Sequence, residues 1–534
     1  MPDTHTRLWT MLGSRRVLAT ALMFCLCPVL SLRAEDWPQF RGPNCRGISA
    51  TTKPLPMKFS GTDNVRWSAA IGDGVGGASV AAGRVFVSGM TGKETVSLFA
   101  FDAATGKKLW QRDWQTGRLA EVQQTNSHAS TTPAADAERV YFYFSTLGLL
   151  GINARTGQDI WQQKLPTPFF IFKWGPGMSP VLYKDMVLFC QDDDLSPAIY
   201  AFDKSTGKLR WKDDRLDMAV NYSHPVVCTS DGRDDVVVAG TGMLIGYDPA
   251  SGQRRWYAKT LLRNIKTTPV CVDGVIYVSL QSGGMANQWL EGVDQDKVGN
   301  KDGKLTKAEI QAFLGETTPV PTAFFKKTFD RGDLNKDGVL EGRELDIAFL
   351  HPDNFAGADF TAKGEQAADE YILAVRGGGE GDVSNLRLLW KHKTKHTDHV
   401  VSPFVSDGRM LLIKGGGIST VFDTKTGQPL RAPQRIDNPS DYFASPVSGD
   451  GKIYVAGENG VVVVLKNSPD YEVLAKNDVG ESIIATPAIA DGSLIIRTRT
   501  KVLAIAEQRS ASARSAAPKP KRPPIEVSRA GRPQ

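Results

Sequence analysis

Short runs of four to eight residues that alternate apolar and polar recur along most of the chain, broken by Gly, Asp and Ser/Thr clusters. In "LFAFDAATGKKLW" (Leu98–Trp110) the period is two up to Asp102, a turn falls at Thr105-Gly106, and the alternation resumes to Trp110. That pattern predicts a β-hairpin, with Gly supplying a positive φ and the Asp side chain accepting from turn amides. The same ten-residue unit returns at Ile152–Trp161, Phe202–Trp211 and Tyr247–Trp256, with a worn copy at Phe422–Arg431. Upstream of each hairpin stands a second signature, a Ser/Thr-Pro or similar start, a turn and a β-rich run, as in "TTPAADAERVYFYF", "SPVLYKDMVLFC" and "TPAIADGSLIIRT". Two strands plus two strands make a four-stranded unit of about 45 residues, the blade of a propeller.

Blade starts fall at Gly77, Ala129, Met178, Ser223, Lys266, Val401, Ala444 and Ile484. The expected fold is therefore all-β, an eight-bladed β-propeller, in two stretches, 64–283 and 370–507. The eighth blade lacks an outer strand after "KVLAIAEQ", whereas "NVRWSAAI" (Asn64–Ile71) has the outer-strand Trp67 and no hairpin before it. Pairing the two closes the ring and removes an exposed sheet edge. Each repeat Trp is expected to pack between neighbouring blades.

The interval from Trp256 to Trp390 is 134 residues where neighbouring intervals are 45 to 51. The excess, 284–369, falls between the second and third strands of blade five and switches to helical periodicity. Within it "DLNKDGVLEGRE" (Asp333–Glu344) matches a twelve-residue EF-hand calcium loop. Asp333, Asn335 and Asp337 supply oxygens at positions 1, 3 and 5, Val339 its carbonyl at 7 and Glu344 a bidentate carboxylate at 12, with Gly338 at the sharp turn. Phe324, Phe325 and Phe329 before the loop, and Leu345, Phe349 and Leu350 after it, read as flanking amphipathic helices. A second, weaker copy precedes it in "VGNKDGKLTKAE" (Val298–Glu309), where Asn300, Asp302, the Lys304 carbonyl and Glu309 fit but Val298 has no oxygen for position 1. Either Asp296, just upstream beside Asp294, is looped in to replace it, or the hand is degenerate and packs against its partner. Both remain open at this level.

Charge changes the picture little. The net charge of +6 resides in residues 508–534, a Ser/Ala/Pro-rich tail read as disordered, with seven Lys and Arg against Glu526. The rest sums to zero, so nucleic-acid binding is not expected. The tail is a solvated appendage or a loose contact with an anionic surface. At the other end, Arg15 and Arg16 precede the apolar run Val17–Leu30, and "SLRAED" offers a cut after Ala34. Residues 1–34 read as a signal peptide, through the general or the twin-arginine route, because fourteen apolar residues are short for a membrane span. Export to the periplasm or the cell exterior follows. Four cysteines remain, Cys45, Cys190, Cys228 and Cys271, without a CxxC or an adjacent pair, so neither disulfide nor zinc nor covalent haem is supported.

"AFDAATGKKLW", "DWPQFRGPN" and "SPVSGDGKIYVAGENG" resemble the pyrroloquinoline-quinone-type (quinoprotein-like) β-propeller repeats, over about residues 35–507 apart from the insertion. The resemblance implies the propeller fold and two kinds of function, non-enzymatic scaffolds and quinone-dependent alcohol or sugar dehydrogenases. For the dehydrogenases it implies an adjacent-cysteine pair, a catalytic Asp, and Glu and Asn ligands to a calcium beside the quinone; no adjacent cysteines occur here. The leading reading is a calcium-binding scaffold or binding module, and the alternative a pyrroloquinoline-quinone-dependent dehydrogenase with an atypical site. A protein or small ligand is expected on the face carrying the insertion, where residues preceding the inner strands point to the channel. These are Asn126, His128, Lys173, Trp174, Asn221, Tyr222, His224, Asn264, Lys266, His396, His399, Asp441, Tyr442 and Glu481. They form either a ligand funnel or the ordinary polar mouth of a channel. Residues 35–63, a coil extension opening on "DWPQFRGPNCRG", are expected to wrap the propeller, with Trp37 and Phe40 as anchors.

Overall fold

Asp, two variable residues, Ser/Thr and Gly make the same turn wherever they occur. Asp102 Oδ1 accepts the Thr105 amide at 2.9 Å, and Asn153, Asp203, Asp248 and Asp423 repeat the contact in their own hairpins. These hairpins carry the outer strands of the blades. The computed structural model describes residues 35–170, 173–215, 221–240, 243–259, 266–280, 290–294, 299–314, 329–330, 332–342, 344–345, 348, 370–394 and 400–507. The segments 1–34 and 508–534, together with Phe324, Phe325, Phe349 and Leu350, lie outside them.

Among the described residues eight antiparallel sheets stand around one axis, each running from a short inner strand outward. Blade one, for example, comprises Ser79–Ala81, Arg84–Gly92, Thr95–Asp102 and Lys108–Gln115. The fold is an eight-bladed β-propeller, and its latch is the one expected. Val65–Ala70 pairs antiparallel with Lys501–Ile505, so the N-terminal strand completes the last blade. In blade five the second strand ends at Leu280 and the third begins at Glu370. Blade four gains a fifth strand, Gly381–Asp382, paired in parallel with Trp256–Tyr257.

The Ser/Thr-Pro starts have a structural purpose. At the first residue of each start the backbone N–H donates to the side chain of the equivalent residue one blade on. Gly77 donates to Thr132 Oγ1 (2.9 Å), Thr132 to Ser179 Oγ, Ser179 to His224 Nε2, His224 to Thr268 Oγ1, Thr268 to Ser402 Oγ, Ser402 to Ser445 Oγ and Ser445 to Thr486 Oγ1. Seven bonds thus link eight blades around the axis. The remaining seam, between blades eight and one, would require a side chain at position 77, which is Gly. There the shared outer strand and the Arg497 guanidinium, which donates to Ser88 O at 3.1 Å, span the gap.

The N-terminal coil departs from the expectation that it wraps the propeller. Residues 37–49 cross the axis and bond to strand edges of six blades. Trp37 exchanges two amide bonds with Val80; Pro38 O accepts from Ala135; Gln39 Oε1 accepts from Leu182; Asn44 bonds both N–H and C=O of Val227; Arg41 donates to Pro403 O; Gly47 O accepts from Ser448. The inner-strand edges offer unpaired amides to the channel, and a coil rich in Asn, Gln and Gly satisfies them. Gly42 is required within this plug: at φ +68° a Cβ would stand 2.8 Å from the Trp37 indole. Trp37 and Arg41 are fully buried as a result.

Candidate functional site

With one end of the channel filled, what remains is a blind cavity of about 680 Å³ on the opposite side. Phe40 of the plug lines it together with residues that precede the inner strands, among them Asn126, Trp174, Tyr222, His224, Lys266, Asp441, Tyr442 and Phe443. Seven of the expected mouth residues therefore meet there. Others do not: Asn221 is buried against Asp192 of blade three, Lys173 pairs with Glu121, Glu481 accepts from Thr498 and Thr500, and His128 does not line the cavity. Asn264, His396 and His399 lie outside the described residues. Phe443 was not anticipated from the sequence, and Phe40, expected only as an anchor of the coil, was not placed in the cavity; no periodic signal pointed to either position.

The cavity walls are aromatic with few charges. Lys266 Nζ stands 4.2 Å from the Trp174 ring centre, and Trp174 leans on Tyr222, which stacks on Phe170. Asn126 donates to Pro176 O at 3.1 Å and fixes one rim. At the base, Phe40 stacks on His224 with ring centres 4.4 Å apart. His224 occupies a place where the other blades carry Ser or Thr, except blade one with Gly77. Its Nε2 accepts from Ser179, so the ring proton is on Nδ1, which donates to Thr268 Oγ1 at 2.9 Å. Burial first, and the neighbouring Arg41 charge second, push its pKa down to about 3. Burial raises Tyr442 to about 12. Among the described residues Asp441 is the single carboxylate lining the cavity, and no cysteine lines it. The Glu, Asn and Asp set that the resemblance implies around a quinone and its calcium is not assembled there.

The insertion springs from the same end of blade five as the cavity mouth: the second strand stops at Leu280, beside Thr267, whose hydroxyl donates to Ser279 O. Its two loops are coupled by a short antiparallel ladder, Lys304–Thr306 with Val339–Glu341, that sets Leu305 against Leu340, both fully buried. The loops repeat one hydrogen-bond plan. In the second, the Asp337 amide donates to Asn335 Oδ1 (3.0 Å), Val339 N–H to Asp337 Oδ1 (2.8 Å), and Gly338 N–H to Asp333 Oδ2 (2.9 Å). In the first, Asp302 donates to Asn300 Oδ1 (2.9 Å), Lys304 N–H to Asp302 Oδ1 (2.9 Å), and Gly303 N–H to Asp294 Oδ2 (3.0 Å). Lys301 and Lys336 share φ +63°.

Asp294 therefore occupies the place of Asp333, a residue the motif spacing obscured because four extra residues separate it from the rest of its loop. Asp296 lies outside the described residues. The two loops end differently. Glu344 Oε1 accepts the Leu334 amide at 3.0 Å and reaches back across its loop. Glu309 Oε2 accepts from Thr306, while Glu309 N–H donates to Thr306 Oγ1, a capping box on the helix Lys307–Leu314. Among the described residues no three His, Cys, Asp or Glu side chains are gathered at metal-binding distance. Asp333 Oδ1 and Glu344 Oε2 are nonetheless buried without a hydrogen-bond donor. Two carboxylate oxygens held away from water in one loop fit a cation better than they fit each other.

Comparison with known proteins gives the propeller its kin. The chain is 27% identical over 261 residues to outer membrane protein assembly factor BamB of Yersinia pestis, a match covering 44% of this chain and 61% of that protein. It is 26% identical over 133 residues to quinohemoprotein alcohol dehydrogenase ADH IIB of Pseudomonas putida, covering 24% of this chain and 19% of that one. The chain thus spans about three fifths of the BamB relative and about one fifth of the dehydrogenase. The crystal structure of BamB from Moraxella catarrhalis superposes with a TM-score of 0.48 at 12% identity, over 82% of this chain and 98% of that one. The family model described as outer membrane protein assembly factor BamB matches residues 47–170 and 175–321, a little over half the chain, and to that family of PQQ-like propeller repeats the protein belongs.

Proposed function

We propose that the protein is an exported, calcium-binding propeller that acts as a scaffold or binding module and receives its partner at the mouth of the blind cavity. The observation that carries this reading is the plug. By filling one end of the axis it leaves one open face, walled by Trp174, Tyr222, Tyr442 and Phe443 and carrying Lys266 and Asp441. Aromatic walls with a few fixed polar groups suit recognition of a protein side chain or small ligand. Relatives named as outer membrane assembly factors favour a protein partner in the cell envelope. A photo-crosslinker at position 443 in the exporting cell should capture a partner that the same group at Glu138, on an exposed hairpin turn, does not. Equal labelling from both positions would refute the cavity face as the docking site.

Calcium enters this proposal through the second loop. Asp333, Asn335, Asp337, Glu344 and the Val339 carbonyl would hold the ion, and the orphaned oxygens of Asp333 and Glu344 support it. Bound calcium would supply a rigid cross-link between the ladder strand and the flanking helical segments of the insertion. For the quinone, the cavity residues do not fit the ligand set, and no chemistry is assigned through it. Dye-linked alcohol oxidation after reconstitution with pyrroloquinoline quinone and calcium should give no saturable turnover; robust activity would replace the scaffold reading with the dehydrogenase one.

A further inference from the structure

Among the described residues four cysteines are free and buried, and two of them meet at one seam. Cys228 lies on the inner strand of blade four, Val226–Ser230, and Cys271 on that of blade five, Val270–Val272. The two strands are neighbours around the axis, with Cα atoms within 8 Å of each other. Side chains alternate between the faces of a strand, and here the alternation turns the thiols toward each other. Val270 packs toward blade six with Met410 and Phe422, so Cys271, the next residue, faces back into the core shared with blade four. Cys228 enters that core from the other side: a Cβ on Gly377 of blade five would stand 2.8 Å from its Sγ. Hydrogen bonding with the Cys271 thiol first, and burial second, hold the Cys228 thiol well above its ordinary range.

This seam is also short of other fastenings. At the preceding one, Trp211 of blade three closes over Gly252 of blade four. Trp256, its counterpart in blade four, donates instead to Asp235 of its own blade. Polar contacts span the rim: Arg387 of blade five donates to Asp231 of blade four at 2.6 Å, and Arg233 of blade four to Gly379 O at 2.5 Å. Asp231 and Arg387 are partly exposed, and such pairs contribute little. Blade five is, moreover, the blade whose second strand stops at Leu280 and whose third begins only at Glu370.

We propose that Cys228 and Cys271 form a disulfide that fastens blade five to blade four at the inner strands, made by thiol–disulfide exchange with a disulfide oxidant. The Cys271 thiolate attacks one sulfur of the oxidant, forming a mixed disulfide and expelling a thiolate. The Cys228 thiolate then attacks the Cys271 sulfur and expels the second. The pair gives up two protons and two electrons, and the oxidant leaves as two thiols. Thiols buried in apolar surroundings are inert, so exchange belongs to the stage of folding before the seam closes. The cross-link restrains the unfolded chain over the whole of blade four, independently of what binds in the cavity.

Cell-free synthesis of the full chain tests this, with oxidised glutathione in one reaction and excess dithiothreitol in the other. Free thiols are alkylated under denaturing conditions, and the unreduced digest is mapped by mass spectrometry. The oxidised sample should contain a peptide pair joined through Cys228 and Cys271, with Cys45 and Cys190 alkylated. Full alkylation of all four, or a link through Cys45 or Cys190 instead, would overturn the proposal. The oxidised protein should also melt about 3–5 °C above the reduced one. Cys271→Ser should melt alike from both reactions, and if it fails to fold the wild-type map and melts still decide. Equal wild-type midpoints would show that the bond does not fasten the seam.

Discussion

The indole of Trp161 closes over Gly207 of the next blade: its Nε1 donates to Lys204 O at 3.0 Å, and a Cβ on residue 207 would stand 2.5 Å from the ring. Trp67 with Gly106, Trp110 with Gly157, Trp211 with Gly252 and Trp390 with Gly427 repeat the contact. The repeated Trp and the repeated turn Gly are thus the two halves of one joint between blades. Gly207→Ala should cost about 2–4 kcal/mol, from a left-handed Ala at φ +70° and from displacement of the indole. Gly232→Ala, at φ +75° with open space around it, should cost about 1 kcal/mol. Denaturant melts of both variants separate the two causes; equal losses would show that the indole is not what demands Gly.

Trp256 is the exception that the repeat pattern did not reveal. It is fully buried and donates to Asp235 Oδ2 within its own blade at 2.7 Å, because blade five answers with "GGGEGD" in place of a standard turn. Gly381–Asp382 pairs along the Trp256 strand instead. Where the chain repeats, its hairpins, blade count and strand closure were legible from alternation and turn chemistry. The plug was not, since its peptide groups and side chains bond to strand edges as far away in the chain as Ser448, the partner of Gly47, and follow no period. Likewise His224, flanked by Ser223 and Pro225, reads as one more mouth residue until its neighbours around the ring show Ser or Thr in its place.

That substitution of His for Ser or Thr has a pH signature. His224 titrates near 3 in the folded protein and near 6.5 when unfolded, so between those values the unfolded chain binds the extra proton. Stability from this residue is intact above about pH 6.5 and lost as pH falls toward 3. Asp193 works in the opposite sense. Burial raises it to about 6, so the folded form takes the proton first and stability declines as pH rises from about 3.8 to 6. The two slopes offset one another in wild type over that window. His224→Thr, which keeps an acceptor for the Ser179 amide, should unmask the Asp193 slope. Relative to wild type the variant should gain on the order of 2 kcal/mol between pH 7 and pH 4.5. Urea melts across that range check it, and parallel pH profiles for the two proteins would refute it.

The latch predicts a cooperative loss. Removing residues 35–71 strips the outer strand from blade eight and the plug from the axis, exposing a full sheet edge and the inner-strand amides together. The melting midpoint should fall by well over 10 °C, or the truncated chain should fail to fold. A shift of a degree or two would mean that the seam is held elsewhere, with Arg497 and Ser88 the first contact to examine.

Calcium stoichiometry distinguishes the two loops of the insertion. In the full-length protein, titration calorimetry should find a site at Asp333, Asn335, Asp337, Glu344 and the Val339 carbonyl, in the ~10⁻⁴–10⁻³ M range common to extracellular modules. Glu344→Gln removes a carboxylate whose Oε2 is buried without a donor and should weaken that site at least tenfold, with the propeller's melting unchanged because its core is separate. The first loop depends on Asp294, which takes the Gly303 amide as Asp333 takes that of Gly338. Its Glu309 is engaged with Thr306, so any second site should be the weaker of the two. Asp294→Asn should then abolish a second binding event while leaving the first, and Asp296→Asn should leave both. If Asp296→Asn alone removes the second event, the position-1 ligand is Asp296, looped in from upstream of Val298; if wild type gives no calcium heat, the insertion is a spacer held by the Leu305–Leu340 ladder alone.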